Sequence, residues 1–542
     1  MQDETLSSRL DYAFARFLTQ LSVLDSEQSK QFKAIIAQLS YAQSQGHSCI
    51  ELSETDQKIV LASGMADESG KHPLVMENNR LYLQRYWSYE CQLADKIITL
   101  SSGNSLSTEL ENIIEQYFPN NADDIDWQKK AALRAVQYPF TIITGGPGTG
   151  KTTTVVKILA LLQELSPQPL NIALAAPTGK AAMRLQESIG QSKKSLPCSE
   201  LIKQVIPDQV STLHRLLGAR PASPYFKYNI DNPLPFDIVV IDEVSMIDLA
   251  LMSKLVSALK QGNRLILLGD KDQLASVETG AVLADLTFAL PEYTQELKKS
   301  YRFSGYIKTF SDAVNQRREQ DAWELLAQDT AQLCLLKQDL IDYISHHQTA
   351  YLQLITEGAE YKHCFSAFNE FQVLCATRQG VNSVADINHR VVQQLRARKL
   401  IKSSGEWYSG RPVMIAHNDP ALRLYNGDIG VCMPDTECGG QLMVFFLMPD
   451  GAVKKYVPAR LPYCETVYAM TIHKSQGSEF NEVLLVLPES INPVLTKELI
   501  YTGITRAKES LKILANKEVF LATLQRKVER SGGLAQRIMQ MK

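Results

Sequence analysis

The stretch GGPGTGKTTT, residues 145–154, has the residue types and the spacing of a loop that binds phosphate groups. It follows TIIT, which is typical of a buried strand, and its last residues open TTTVVKILALLQEL, whose apolar spacing predicts a helix. Glycines let backbone N–H groups surround phosphates at a helix N-terminus, where the helix dipole also favours negative charge. Lys151 would reach the terminal phosphates of a nucleotide, and the Thr152 hydroxyl would bind Mg²⁺. The predicted nucleotide-binding residues of this loop are Gly145, Gly146, Pro147, Gly148, Thr149, Gly150, Lys151, Thr152 and Thr153.

Two acidic residues, Asp242 and Glu243, end a second apolar stretch, DIVVIDE. Beyond the carboxyl end of a strand, Asp242 is placed to hold Mg²⁺ and Glu243 to orient or deprotonate an attacking water molecule. Two acids at a strand end are often only a solvated edge. The phosphate-binding loop about 90 positions upstream favours the catalytic interpretation.

Polar side chains also follow a third apolar stretch, in LLGDKDQLASVETGAVL. Gln273 could contact the γ-phosphate and report its loss, while Asp270 and Ser276 could set the shape of the loop. For Ser276 a plain polar turn is an equally good interpretation. Upstream, Gln128 in DWQKKA carries an amide able to form hydrogen bonds with the edge of adenine, although one glutamine means little by itself.

Length and composition limit the classes of protein to consider. A chain of 542 residues is long enough for about three or four domains, and 45% apolar with 21% charged residues is ordinary for a globular protein. A net charge of −3 argues against a strongly basic nucleic-acid coat but leaves room for a local basic groove. The nine cysteines include no C-x-x-C pair, which favours reduced thiols in the cytoplasm and indicates neither zinc nor an iron–sulfur cluster. No run approaches about 18 uncharged apolar residues, so no membrane association is expected.

Short apolar stretches alternate with helical segments in two parts of the chain, beginning at TIITGG and at FQVLCATR. This alternation predicts an α/β fold whose parallel sheets are covered by helices on both faces. N-G and D-G pairs between β-like stretches predict a small β-rich insertion in the second part. The predicted domains are a helical N-terminal module (1–115), a first α/β lobe (116–300), a second α/β lobe (301–398 and 466–542) and the insertion (399–465).

Eight stretches occur in the order of the superfamily 1 helicase motifs. They are GGPGTGKTTT, APTGKAA, STLHRLLG, VVIDEVSMID, LLGDKDQLASVETGAVL, KSYRF, AMTIHKSQGSEF and YTGITRAKESL. Each motif is shared widely, but the ordered set is specific and spans about residues 128–512. The sequence resembles in particular the RecD family, the alpha subunits of bacterial exodeoxyribonuclease V (RecBCD), also in NPLPFD, LYLQRYWSYE and NGDIG.

The resemblance implies two RecA-like P-loop NTPase lobes that form an ATP-driven, Mg²⁺-dependent 5′-to-3′ DNA helicase. It implies a heterotrimer with RecB-like and RecC-like subunits that acts on single-stranded and double-stranded DNA in recombinational repair of double-strand breaks. In this assembly the N-terminal module would dock on the RecC-like scaffold, a role that its aromatic residues and arginines also favour. The family's nuclease is expected in another subunit, because no D-Y-K type nuclease segment is present in this sequence.

The same resemblance implies a role for each matching residue. Gln128 would contact adenine, Lys151 the phosphates, Thr152 and Asp242 Mg²⁺, and Gln273 the γ-phosphate. The implied catalytic residues are Lys151, Asp242, Glu243, Gln273, Arg302 and Arg506, the two arginines reaching across a cleft between the lobes. The residues implied to line a single-strand DNA path are Pro177, Thr178, Lys180, Thr212, His214, Arg215, Thr471, His473 and Lys474.

One segment departs from the family pattern, since the stretch between Leu283 and Leu297 is shorter than the resemblance leads us to expect. Two alternatives to a helicase subunit also stay open. A free-standing RecD-like helicase would carry extra N-terminal DNA-binding modules such as helix-hairpin-helix repeats, which are absent from this sequence. A structural subunit that binds but does not hydrolyse nucleotide would not need Lys151, Glu243, Arg302 and Arg506.

Overall fold

The computed structural model describes residues 8–101, 110–119, 125–220, 223–300, 305–402, 405–419, 421–448 and 451–542, with the backbone alone for 110–112. Across these ranges we find no helix that combines the length and the apolar character needed to cross a membrane. The described residues form four β-sheets, two of which are entirely parallel. The predicted α/β fold with two parallel sheets is therefore confirmed.

The N-terminal region is helical, as predicted, and also contains a small sheet that the sequence did not predict. Its elements are α1 (Arg9–Leu21), α2 (Ser26–Ser44), β1 (Cys49–Glu51), α3 (Glu54–Ala62), β2 (Ala66–Asp67), β3 (Leu74–Glu77), β4 (Arg80–Leu83), α4 (Gln84–Ser101) and α5 (Leu110–Tyr117). A capping box starts α1, because the Ser8 side chain accepts from the Asp11 N–H and the Asp11 carboxylate accepts from the Ser8 N–H. The four strands pair in the order β1-β4-β3-β2. Each strand has four residues or fewer, too short for a readable alternation of apolar and polar residues.

The first α/β lobe is built on a six-stranded parallel sheet with the strand order β10-β5-β9-β8-β6-β7. Its elements are α6 (Trp127–Gln137), β5 (Phe140–Thr144), α7 (Lys151–Glu164), β6 (Ile172–Ala176), α8 (Gly179–Lys194), α9 (Glu200–Val205), β7 (Ser211–Thr212), α10 (Leu213–Leu217), β8 (Ile238–Ile241), α11 (Leu249–Ser257), β9 (Arg264–Gly269), α12 (Val282–Ala289) and β10 (Thr294–Glu296). Strands β5, β6 and β8 are buried along their whole length, as expected for a sheet covered on both faces. The short segment after Leu283 completes α12 and supplies the edge strand β10.

The second α/β lobe has a five-stranded parallel sheet with the order β11-β20-β19-β12-β18. Its elements are α13 (Tyr306–Asn315), α14 (Glu319–Ala327), β11 (Leu333–Leu335), α15 (Leu340–His347), α16 (Thr349–Thr356), α17 (Tyr361–Asn369), β12 (Phe371–Cys375), α18 (Val384–Ala397), β18 (Ala469–Thr471), β19 (Phe480–Val486), α19 (Lys497–Ile504), β20 (Ala507–Leu514) and α20 (Lys517–Gln525). Its strand β12 is buried along its length, like the central strands of the first lobe.

In sequence, an antiparallel sheet lies between the earlier half of the second lobe and β18. Its strands are β13 (Pro412–Ile415), β14 (Ile429–Asp435), β15 (Gln441–Leu447), β16 (Val453–Tyr456) and β17 (Cys464–Thr466), in the order β16-β15-β14-β13-β17. The predicted β-rich insertion is thus confirmed as a sheet of its own, with a small core that includes Val413, Val444 and Phe446.

The two ends of the chain pack together on the first lobe. The last helix, α21 (Leu534–Met541), buries Leu534 and Ile538 in the same core as Ile97 of α4. That core also contains Phe140 of β5, so α4 and α21 complete the first lobe, although α21 lies far from it in sequence. Helices α1 to α3 and the four-stranded sheet instead share a separate core. The packing therefore joins the end of the region predicted as the N-terminal module to the first lobe.

Candidate ATP site and DNA path

The sequence motifs meet at one edge of the first lobe's sheet. Since all six strands are parallel, their carboxyl ends lie on the same side, and the loops that follow them are neighbours. The loops after β5, β9 and β8 carry the predicted nucleotide residues, and these three strands are adjacent. The loops after β6 and β7 carry predicted DNA residues and continue the same edge. One edge of one sheet therefore presents both sets of residues.

The loop between β5 and α7 has the conformation that its glycines allow. Gly148 and Gly150 have φ values of +76° and +81°, in the left-handed region that favours glycine. A Cβ atom on Gly145 would lie 2.8 Å from the Leu297 carbonyl oxygen, so that position has no room for a side chain. The Lys151 ammonium donates to the Gly145 and Gly146 carbonyl oxygens at 2.5 and 3.1 Å. The lysine is thus held over the loop at the N-terminus of α7.

Asp242 and Glu243 follow β8 directly, as predicted. Burial raises the pKa of Asp242 to about 6; Glu243 shifts it in the same direction and Lys151 opposes the shift. Glu243 is a non-glycine residue with φ of +53°, and its N–H donates to the Asp242 carboxylate at 2.9 Å. Backbone strain of this kind is tolerated where the surroundings impose it, and such sites are often functional. Two neighbouring, half-buried carboxylates therefore lie near a lysine.

Asp270 and Gln273 follow β9 and form a hydrogen-bonded pair. The Gln273 amide donates to the Asp270 carboxylate at 3.1 Å, and the Tyr501 hydroxyl of the second lobe donates to the same oxygen at 3.1 Å. Burial raises the pKa of Asp270 to about 6, while Lys151 and the Tyr501 hydrogen bond lower it. Asp270 is therefore a contact between the lobes as well as a support for Gln273.

Residues that follow Gln273 enter the second lobe. The Leu274 N–H donates to the Thr502 hydroxyl at 2.9 Å, and its carbonyl oxygen accepts from the Gln476 amide at 3.2 Å. The Leu274 side chain is buried in the hydrophobic core of the second lobe. The loop after β9 is consequently fixed to both lobes.

Arg506 lies at the junction of α19 and β20 and is 1% exposed. Its guanidinium donates to the Thr502 and Ser478 carbonyl oxygens at 3.1 and 3.2 Å and to the Thr505 hydroxyl at 3.2 Å. Burial lowers the pKa of Arg506, whereas the acidic Glu243 and Asp270 of the first lobe raise it. The second lobe thus directs a buried, oriented cation toward the acids of the first.

A cavity of about 760 Å³ lies between the lobes and collects these side chains. The predicted residues on its wall are Gln128, Pro147, Gly148, Gly150, Lys151, Thr152, Thr153, Asp242, Glu243, Gln273 and Arg506. Its volume is within the range of small-molecule sites, about 300–1,000 Å³. The Gln128 amide also donates to the Thr149 carbonyl oxygen at 3.4 Å, which places it beside the phosphate-binding loop. The predicted Arg302 lies outside the described residues.

Sequence reasoning missed several residues of this cavity. Arg184 of α8 forms an ion pair with Glu479 of the second lobe, and both side chains lie on the cavity wall. Tyr501 lies beside the loop, since a Cβ on Gly146 would be 3.1 Å from its hydroxyl. Glu479 and Tyr501 stand inside the quoted motifs HKSQGSEF and YTGITRAK, which was the available signal. Arg184 is an ordinary helix residue and offered none.

The predicted DNA residues fall into two groups in the first lobe. Thr178 caps α8 by accepting from the Ala181 N–H, and Thr212 caps α10 by accepting from the Arg215 N–H. Because β6 pairs with β7, Ala176 and Thr212 are direct neighbours, which brings both loops together. The residues at these loops are Pro177, Thr178, Lys180, Thr212, His214 and Arg215, of which His214 and Arg215 are exposed.

The remaining predicted DNA residues lie in the second lobe, close to Lys180. Burial lowers the pKa of Lys180 to about 8; Asp428 of the insertion opposes the shift and Lys474 of the second lobe adds to it. The Thr471 hydroxyl accepts from the Lys474 N–H at 3.3 Å, and His473 is half-buried in the short helix that follows β18. Both lobes and the insertion thus contribute charged groups around Lys180.

Comparison with known proteins identifies the family. The model of the RecBCD enzyme subunit RecD N-terminal domain matches residues 3–65, an AAA domain matches 128–279, and a UvrD-like helicase C-terminal domain matches 466–514. The Haemophilus influenzae RecBCD enzyme subunit RecD is 36% identical over 528 residues, covering 85% of this chain and 80% of that protein. The chain belongs to the RecD family. The resemblance stated from the motifs is confirmed.

Other relatives match this chain over different extents. The Mycolicibacterium smegmatis RecBCD enzyme subunit RecD is 37% identical and the match covers 84% of this chain and 82% of that protein. The ATP-dependent RecD2 DNA helicase of Deinococcus radiodurans is 32% identical, with 68% of this chain but 46% of that protein covered. Among solved structures, Bacteroides Pif1 bound to ssDNA matches with 19% identity and a TM-score of 0.42, covering 73% of this chain and 94% of that one.

The hydrogen bond between Tyr501 and Asp270 generates a pH-dependent prediction. At pH 8 the Asp270 carboxyl is ionised, and Tyr501→Phe is expected to lower the free energy of unfolding by about 1.5–3 kcal/mol, as for a hydrogen bond to a charged group. At pH 5 the carboxyl is protonated, because its pKa is about 6, and the loss should be smaller. A carboxyl whose pKa is raised in the folded protein makes the folded state less stable as pH rises toward that pKa. Without the Tyr501 hydroxyl the pKa of Asp270 rises further, so the variant loses more stability than the parental protein between pH 5 and pH 8.

Urea unfolding followed by circular dichroism at pH 5 and pH 8 measures both losses. Tyr225→Phe, at a tyrosine that is 73% exposed, serves as the matched control and should change neither value. Equal losses at the two pH values would show that Tyr501 does not donate to a titrating carboxylate.

Proposed function

We propose that the chain is the ATP-dependent 5′-to-3′ DNA helicase subunit of a RecBCD-type complex that acts in recombinational repair. The observation that carries the proposal is the position of Arg506, a second-lobe residue, on the wall of the same cavity as Lys151 and Glu243 of the first lobe. A site divided between two lobes is completed only when they close, so binding and hydrolysis can be coupled to their relative movement. Family membership supports the same activity.

The residues present suit ATP with Mg²⁺. The loop glycines leave backbone N–H groups accessible at the N-terminus of α7, and Lys151 adds a positive charge there. Thr152 and Asp242 line the cavity and would hold Mg²⁺, which supplies positive charge to the phosphate oxygens when bound. The raised pKa of Asp242 fits a carboxylate whose charge a divalent cation would favour.

Each side chain has a distinct task in hydrolysis. Glu243 orients and deprotonates the attacking water, while Lys151 and Arg506 stabilise the charge that develops on the γ-phosphate oxygens. Gln273 contacts the γ-phosphate and is held in position by Asp270. Gln128 lies at the adenine end of the site, next to a hollow lined by Ile125 and Trp127.

The DNA path runs over the sheet edge beside the ATP site. Thr178 and Thr212 offer hydroxyl groups, and Lys180, Arg215 and Lys474 offer positive charge, which suit the sugar–phosphate backbone. Contacts of this kind carry no base sequence, so binding is largely without sequence preference and weakens with salt. Because the DNA residues are divided between the two lobes, closing the cleft moves those of the first lobe relative to those of the second.

The extent of similarity within this chain favours a complex subunit over a free-standing helicase. The match with the H. influenzae RecBCD subunit covers 85% of this chain at 36% identity, and the match with the D. radiodurans RecD2 helicase covers 68% at 32% identity. A non-hydrolysing structural subunit is disfavoured by Lys151, Glu243 and Arg506, which all reach the cavity.

The N-terminal module presents an apolar face suited to docking on a RecC-like scaffold. Ala15 and Leu18 of α1 point into the module's core, while Leu10, Phe17 and Leu21 form a stripe at helical spacing on another face. These three side chains are 75%, 57% and 53% exposed, and the following Val23 is 80% exposed. Apolar groups clustered on a surface in this way mark interaction sites.

We expect unwinding of a duplex that carries only a 5′ single-stranded tail and none of a duplex with only a 3′ tail. The full-length chain with ATP and Mg²⁺ is assayed by release of a labelled strand, and Lys151→Gln is the inactive control. Unwinding confined to the 3′-tailed duplex would overturn the assignment.

Lys151 and Arg506 should fail in different ways. Lys151→Gln is expected to weaken nucleotide binding and abolish turnover, whereas Arg506→Ala should keep most of the binding and lower kcat. Arginine fingers accelerate hydrolysis on the order of 10³–10⁵-fold in GTPases. We expect the lower part of that range, because the resemblance implies that Arg302 also stabilises charge on the γ-phosphate. DNA-stimulated phosphate release and nucleotide titration measure the two quantities.

Arg526→Ala is the matched control for Arg506→Ala, since its guanidinium donates to the Asn492 carbonyl oxygen of the second lobe rather than lining the cavity. Urea unfolding checks that each variant is folded. Hydrolysis at the parental rate by a folded Arg506→Ala protein would refute its role across the cleft.

Replacing Leu10, Phe17 and Leu21 by serine should abolish co-purification with the RecC-like partner while ATP binding persists. Point changes are preferable to deleting residues 1–115, because that deletion would remove Ile97 and its neighbours from the first lobe's core. Serine at the exposed Leu201, Tyr225 and Ile230 of the first lobe is the control and should leave assembly intact. Undiminished assembly of the first variant would refute docking through this face.

A further inference from the structure

The loop after β9 has a second half, residues 276–280, whose contacts the proposed ATP site does not explain. Its first half supplies Gln273 to the cavity and Leu274 to the second lobe. In the second half, the Ser276 hydroxyl donates to the Glu278 carbonyl oxygen at 3.0 Å, and the Gly280 N–H donates to the Gly46 carbonyl oxygen at 2.9 Å. The loop therefore runs from the ATP site to the N-terminal module.

The side chain of Arg530, near the C-terminal end of the sequence, forms hydrogen bonds with this half of the loop. The Arg530 guanidinium donates to the Gly280 and Glu278 carbonyl oxygens at 2.6 and 2.7 Å and also to the Ser276 carbonyl oxygen. Its opposite side faces Gly46, where an added Cβ would lie 2.7 Å from the Arg530 Cζ atom. Three carbonyl oxygens that converge on one planar cation form a specific arrangement that a lysine could not reproduce.

The segment that carries Arg530 is attached on both sides of the loop. On the second lobe, the Lys497 N–H donates to the Arg526 carbonyl oxygen at 3.0 Å, and the Val528 N–H donates to the Glu498 carboxylate at 3.2 Å. Residues 526–533, which we name the C-terminal strap, then reach the N-terminal module. The attachments there are Ser531 N–H to the His47 ring, Ser48 N–H to the Ser531 carbonyl oxygen, and Gly533 N–H to the Glu90 carboxylate.

We propose that Arg530 is a positioning residue for ATP hydrolysis, acting through the loop that carries Gln273. By holding the Ser276, Glu278 and Gly280 carbonyl oxygens, it fixes the distal end of that loop against the N-terminal module and the C-terminal strap. Gln273 then contacts the γ-phosphate in one geometry. Because the loop is held at both ends, a shift of Gln273 is transmitted to the N-terminal module. The inference rests on the proposed ATPase function and adds a residue that does not touch the nucleotide.

Arg530→Ala is expected to lower DNA-stimulated kcat by about 5- to 20-fold, within the range usual for coupling between distant sites. The nucleotide dissociation constant should change less than about 3-fold, because the variant leaves the contacts between the phosphate-binding loop and the nucleotide intact. The kcat of Arg530→Lys should lie between that of the parental protein and that of Arg530→Ala. Deuterium uptake of a peptide covering residues 274–282 should rise in both variants, which reports the loosened loop independently of catalysis.

A double-mutant comparison separates positioning from general stability. If Arg530 acts through Gln273, then Arg530→Ala adds no further loss of kcat to Gln273→Ala. Arg537→Ala is the matched control, since this arginine lies on α21 just beyond the strap but forms its ion pair with Glu77 of the module. It should leave kcat unchanged.

Three results would overturn the inference. They are multiplicative losses in the Arg530→Ala, Gln273→Ala double variant, an equal loss in Arg537→Ala, or parental kcat in a folded Arg530→Ala protein. If Arg530→Ala fails to fold, the Arg530→Lys series decides by the same criteria. Absence of DNA-stimulated hydrolysis in the parental chain itself refutes the proposed function, and the inference with it, and so is distinguishable from the other three.

Discussion

The insertion of Leu274 into the core of the second lobe is the contact on which the site depends. A nucleotide site divided between two lobes needs both halves in register, and a surface contact alone would not set their spacing. Here a first-lobe loop fills a hydrophobic position of the second lobe, and the Leu274 backbone is bonded to Thr502 and Gln476. Gln273, one residue earlier, is thereby tied to both lobes.

The charges of the cavity suit the nucleotide and divalent cation that we propose for it. Asp242, Glu243 and Asp270 are acids in a site that also holds Lys151 and Arg506. Burial raises the pKa of both aspartates to about 6, since removing a carboxylate from water disfavours its charged form. The nucleotide and Mg²⁺ proposed for this cavity would supply charges that act on these two carboxylates.

Much of the architecture could be predicted from the sequence because the relevant signals are local. Short, predominantly apolar runs such as those of β5 and β8 indicate buried parallel strands, and the glycines at 148 and 150 are typical of a loop with positive φ. The four-stranded sheet of the N-terminal region could not be predicted, because strands of two to four residues leave no period to read. The packing of α4 with α21 was equally hidden, since each has an ordinary amphipathic pattern that does not name its partner.

Some residues of the candidate site could likewise be predicted from the sequence, and others could not. Lys151, Asp242 and Gln273 follow buried strands of one sheet, so a pattern of strand and polar terminus was enough to place them. Arg184 and Arg530 carry no such mark, because their partners lie hundreds of positions away, as Arg530 and Ser276 do at a separation of 254 residues. Only the folded chain brings them together.

The packing of α21 against the first lobe has a consequence for degradation. Ser48 and Ser531 are hydrogen-bonded across 483 positions, and Leu534 and Ile538 fill a core that also contains Ile97 and Phe140. A cut within the C-terminal strap would release α21 and uncover the apolar surface that Leu534 and Ile538 cover. Cleavage of this segment would therefore expose the first lobe to chaperones and proteases.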